Sequence, residues 1–130
     1  MDAGTSMDLK VYSRHNCYRP TPEQMTAIQD KGVSVTLTPG INVVKLLESD
    51  TPYITATGAK AEPWVLLWIY GGRVINSKTN VEVVATWASL RGYTDVLTIN
   101  VIESATLCAL LFDASPGHHS GELTLSVTAP

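Results

Sequence analysis

The residues of this chain that could do chemistry gather near its end. Residues 107–112 form a continuous apolar run, residues 113–121 a polar turn, and residues 122–128 alternate apolar and polar. The turn holds Asp113, Ser115, His118 and His119. Imidazoles bind zinc, copper or nickel well. Adjacent residues of an extended chain point to opposite faces, however, so His118 and His119 do not converge on one ion. His15 is far away in sequence. We therefore read the pair as solvated loop histidines, each able to donate to or accept from a ligand hydroxyl. Asp113, Ser115 and His118 carry the letters of a hydrolase triad. They sit in one short loop without the Gly-x-Ser-x-Gly turn that exposes a nucleophile, so no catalytic triad is expected.

Aromatic residues are the second group. Trp64, Trp68 and Tyr70 alternate along one apolar stretch and so share a strand face. Such a row stacks on sugar rings or packs in an interface. Trp68, within an unbroken apolar run, is read as core, and Trp64, which follows Pro63, as a rim residue. Trp87 shares parity with Val81, Val83 and Ala85 and is also read as core. Lys10, Arg14, His15 and Arg19 alternate with Tyr12 and Tyr18. That mixture suits single-stranded nucleic acid, but a net charge of −3 argues for a solvated surface segment. Glu48, Asp50 and Glu62 are read as surface charges, although paired carboxylates serve glycosidases. Residues 91–95 read as a turn.

The elements that must position these groups are mostly strands. A chain of 130 residues with 45% hydrophobic and 16% charged residues suits one folded domain. Residues 1–8 read as a tail ahead of a domain spanning 9–130. Residues 9–12 could form a first edge strand. Thr21, Pro22 and Gln24 make a capping box with proline at the first helical position, which predicts a helix to about Asp30 that Gly32 ends. Beyond it, residues 33–37 and 41–47 flank the turn signal Pro39-Gly40 and read as a hairpin. Residues 64–70 lead into Gly71-Gly72, again read as a tight hairpin. Residues 73–76, 81–88 and 96–102 follow, the last with Leu97, Ile99 and Val101 inward and Thr98 and Asn100 outward. Residues 48–61 form the longest strand-poor stretch, and long loops are often functional. Turn signals every 8–12 residues or so favour an all-β fold, an antiparallel β-sandwich of jelly-roll type with one short N-terminal helix. Cys108 is expected to be a buried, inert thiol and Cys17 exposed, without a disulfide between them. No apolar stretch approaches the ~20 residues of a membrane helix. No secretory signal is recognisable, so a cytoplasmic protein, or one exported by another route, is expected.

The order of these landmarks resembles the LecA-type family of bacterial galactophilic lectins, which are small β-sandwiches. The likeness covers roughly residues 33–128: the stretch around Pro39-Gly40, the strand ending at Gly71-Gly72, and an aspartate loop leading through Ser120-Gly121 into a final alternating strand. The helix has no counterpart in that family. The resemblance implies carbohydrate binding through calcium, with Asp113 and the backbone carbonyl of Tyr53 as metal ligands. The family's paired asparagines are replaced here by His118 and His119. Calcium prefers oxygen ligands, so this exchange weakens the implied site.

These readings lead to a non-catalytic carbohydrate-binding module that forms homo-oligomers, with Tyr53, Trp64, Asp113, Ser115, His118 and His119 around the ligand and Asp113 and Tyr53 around any divalent metal. Nucleic acid and a membrane span are not expected. The alternative is a structural β-sandwich that oligomerises through its strand faces without a small ligand. Its support is high apolar content with few charges.

Overall fold

The computed structural model describes residues 6–47, 64–111 and 123–130. Its helix, α1 (Pro22–Lys31), starts as the sequence predicts. The Gln24 backbone N–H donates to Thr21 Oγ1, and the Thr21 N–H donates to Gln24 Oε1, so two donors that the first turn would orphan are satisfied. The Gly32 N–H closes the last turn on the Ile28 carbonyl.

The strands are β1 (Val33–Leu37), β2 (Gly40–Leu47), β3 (Trp64–Tyr70), β4 (Arg73–Asn76), β5 (Val81–Val83), β6 (Thr86–Arg91), β7 (Val96–Glu103), β8 (Ala105–Leu111) and β9 (Thr124–Thr128). They form two antiparallel sheets, ordered β1-β8-β3-β6 and β5-β4-β7-β2-β9. The pairings nest: β1 with β8, β2 with β7, β3 with β6 and β4 with β5. A long two-stranded ribbon has been rolled so that alternate segments fall in opposite sheets. This is the jelly roll expected from the sequence, with β9 added along the free side of β2.

Rolling corrects two expectations. Pro39-Gly40 and Gly71-Gly72 do not close hairpins, because β1 and β2 lie in different sheets, as do β3 and β4. Both turns carry the chain across the sandwich. At the second, Gly71 takes φ +84°, which glycine adopts without strain. A Cβ on Gly72 would stand 2.2 Å from the Ser104 carbonyl oxygen, so the β3–β4 crossing lies directly on the β7–β8 crossing. A third difference concerns residues 81–88, where Val84-Ala85 break the stretch and β5 and β6 enter different sheets. Residues 9–12 form no strand and lie exposed ahead of α1.

The core is the layer between the sheets. Leu67, Ile69, Leu90 and Leu107 from one sheet meet Val44, Leu97, Ile99 and Val101 from the other, all nearly inaccessible to solvent. Leu97, Ile99 and Val101 face inward as their spacing predicts. Buried Asn42 donates through Nδ2 to the Thr38 and Gly40 carbonyls and so ties the first crossing together. Cys108 is buried beneath α1, its Sγ 3.9 Å and 3.8 Å from the Ile28 and Gln29 carbonyl oxygens. Both cysteines are free, with Cys17 exposed.

Asp95 stabilises the turn between β6 and β7. Its Oδ2 accepts the Arg91 backbone N–H at 3.0 Å, and Lys78 Nζ stands 3.7 Å from Oδ1. The Arg91 bond, assisted by Lys78 and the Val96 N–H, holds the carboxyl below the usual aspartate value against the opposing effect of burial.

Two outcomes are expected. Gly72→Ala loses about 1–3 kcal/mol of unfolding free energy through the clash with Ser104. Gly71→Asn, whose Cβ would meet open space, stays within about 1 kcal/mol of the parent. Urea titration measures both. For Asp95, a depressed folded-state pKa adds stability above the unfolded value, and this is lost as pH falls through the folded value. Asp95→Asn, which keeps an acceptor but loses the charge, should be less stable than the parent at neutral pH. The gap should close in acid, below the usual aspartate value.

Candidate functional site

Of the ligand residues read from the sequence, Trp64 is described; Tyr53, Asp113, Ser115, His118 and His119 lie outside the described residues. The strand ends that flank those segments are informative. Leu47 pairs with Thr124 in one sheet, and Val65 pairs with Leu111 in the other. Leu46, Val65, Leu111, Leu123 and Leu125 line one largely apolar cavity of about 360 Å³ between the sheets, with Lys31 beside it. Leu47, Val65, Leu111 and Leu123 therefore lie at the same end of the sandwich. Trp64, 39% exposed, stands at that end, opposite Arg91 on β6.

The most unusual surface lies on the outer face of the β1-β8-β3-β6 sheet. In an antiparallel sheet the face away from the core is normally polar. Here alternation places Trp64, Leu66, Trp68 and Tyr70 of β3 outward, because Val65, Leu67 and Ile69 face the core. Trp87 of β6 pairs directly with Trp68. The Trp68 ring stacks on Trp87 with centroids 4.5 Å apart and on Tyr70 at 5.8 Å. Such offset stacks each add about 0.5–1.5 kcal/mol beyond area burial. Trp87 remains 40% exposed, and the buried Trp68 Nε1–H has no acceptor among the described residues. The rest of the face is Ser34 and Thr36, Thr106, Cys108 and Leu110, Ser89, and one charge at a corner, Arg91. α1 covers the part over Cys108, held mainly by half-buried Met25, Ile28 and Gln29.

The assignment of Trp87 to the core is thus corrected. Its parity with Val81, Val83 and Ala85 has no meaning, since β5 belongs to the other sheet. Trp68 is half-buried by its aromatic neighbours and α1's side of the sheet, outside the sandwich interior. The alternation of Trp64, Trp68 and Tyr70 pointed to a shared face, but Leu66 and Trp87 were missed as its other members. The opposite outer face differs in kind: Lys45, Thr98, Asn100, Ser126 and Glu82 lie on it among the aliphatic Ile41, Val43, Leu47, Val96 and Ile102, with no aromatic ring among the described residues. Arg73 there bridges Glu103 at 3.1 Å and Glu82 at 3.8 Å.

Among the described residues no three His, Cys, Asp or Glu side chains cluster as metal ligands, and no helix is long and apolar enough to cross a membrane. What the described surface offers is a flat aromatic face and an apolar opening between the sheets. Comparison with protein-family models, with curated proteins and with solved structures gave no match to this chain.

Proposed function

We propose that this chain is a structural, non-catalytic β-sandwich module that works by associating with copies of itself through its strand faces. Jelly rolls serve as lectin domains, cupins and capsid shells, so the fold does not choose among functions and the surface must. The observation that carries the reading is the aromatic face of Trp64, Leu66, Trp68, Tyr70 and Trp87, which holds one charge, Arg91, at its corner. Large contiguous apolar patches on soluble proteins mark partner surfaces, and aromatic residues concentrate at interface centres. Sedimentation velocity should show an oligomer, and Trp87→Lys should weaken its self-association at least about tenfold, since a buried unpaired charge costs more than 1.4 kcal/mol. A chain that sediments as a monomer at every concentration reached would remove this reading.

Carbohydrate binding is the second reading, favoured by a different observation. Leu47, Leu111 and Leu123, the described residues nearest in sequence to Tyr53 and to residues 113–120, lie at one end of the sandwich, where Trp64 stands exposed. A ring there could stack on the apolar side of a pyranose, with the loop's aspartate and histidines bonding to hydroxyls. The resemblance to LecA-type lectins adds to it. Calorimetric titration across simple sugars, with and without calcium, is the test. Binding should fall about tenfold in Trp64→Ala, and silence from every sugar would sink the idea.

A further inference from the structure

The exposed segment ahead of α1 is the least explained part of the described residues. Met7, Leu9 and Val11 are between 79% and 82% exposed, and Tyr12 59%. They alternate with Asp8 and Lys10, so in an extended chain one side is wholly apolar. The Tyr12 N–H donates to Asn16 Oδ1 and the Asn16 N–H to the Tyr12 carbonyl, which makes a turn. Residues 7–11 pair with no strand among the described residues.

The sandwich has a place that lacks what this segment carries. β1 and β9 are the outermost strands of their sheets and lie on the same side of the molecule, since Val33 and Val35 of β1 line one cavity with Leu125 and Val127 of β9. Val33 and Val35 have the parity of the core-facing Leu37, yet they are 71% and 43% exposed. Among the described residues the sandwich is therefore open along this side. The cavity there, about 310 Å³, shares Val33 and Leu125 with the one at the loop end, so the two make a continuous apolar trough. An unpaired strand edge with apolar residues behind it is a template for an added strand.

We infer that the arm of a second copy fills this trough: residues 7–11 lie along the β1–β9 opening as an added strand, with Met7, Leu9 and Val11 pointing between the sheets. The lengths agree, five residues of arm against the five of β1. The areas agree as well. At roughly 60–120 Å² per aliphatic side chain fully buried, matched by the trough and by backbone, two reciprocal arms cover on the order of 1,200 Å², the lower end of stable interfaces. Exchange of an identical element between copies is an economical route to a closed oligomer. The inference shares the premise of self-association with the preceding section, but it rests on different residues.

Light scattering on the full chain separates the two. The parent should elute at a multiple of its 14.0 kDa. The double variant Leu9→Asp/Val11→Asp should drop to a smaller assembly or a monomer with unchanged thermal unfolding of its monomer fold, because both side chains are solvent-exposed within one chain. In a Cys17→Ser background, Leu9→Cys with Val35→Cys should give a disulfide joining two chains on a non-reducing gel. A parent oligomer that survives the arm variant at full mass overturns arm exchange while leaving association through the aromatic face intact. A disulfide that forms only within one chain also overturns it, and a monomeric parent overturns both.

Discussion

The whole architecture depends on two chain crossings that lie against each other. Gly72, at the passage from β3 to β4, touches the Ser104 backbone at the passage from β7 to β8. Strands β3 and β8 pair in one sheet and β4 and β7 in the other, so both stretches of the chain must change sheets at the same place. A side chain between them would pry the crossings apart. On either side of that contact Leu67, Ile69, Leu107 and Val101 keep their inward parity, with a register shift between Arg73 and Val74 beside it.

That parity also determines what the outer faces must be. Once Val65, Leu67 and Ile69 are committed to the core, the intervening Trp64, Leu66, Trp68 and Tyr70 have only the outside. β3 is apolar on both sides, as a strand covered on both faces is. Among the described residues, only one of those faces is fully covered. α1 shields the β1–β8 half of the other through Cys108 and leaves the β3–β6 half to the stacked rings. Among the described residues, an uncovered apolar surface, an unpaired apolar arm and a sandwich open at one edge all express more apolar matter than those residues enclose.

Local features of this fold are legible in the sequence; pairings are not. The capping box around Thr21 and Gln24, the alternation of Leu97, Ile99 and Val101, and the turn beginning at Asn76 are short-range patterns with short-range causes. Hairpin and crossing turns use the same residues, so Pro39-Gly40 and Gly71-Gly72 could not reveal which they were. Trp87 was misplaced because two residues, Val84 and Ala85, switch sheets without any proline or glycine to mark it. The arm reads as an edge strand since its alternation is that of a strand, and nothing local shows that its own chain provides no neighbour. Of the candidate ligand residues, Trp64 was correctly read as a rim residue because Pro63 and the start of an apolar run mark a strand end.

The nesting has a kinetic consequence. Val33 finds its partner in Ala109, and every ribbon pair outside β4–β5 joins strands distant in sequence. Folds dominated by such pairings cross their barrier in milliseconds to seconds, since loop-closure entropy is lost before contacts compensate. Among the described strands the short β4–β5 pair, tied by the Asn76 turn, is the pairing most local in sequence, so it can form early and the ribbon then zip outward toward β1 and β8. During synthesis β1 therefore waits for most of the chain to be made, with its apolar side exposed throughout. Slow closure of the outermost pair gives a neighbouring chain time to reach the open edge, so concentration during folding bears on which assembly results.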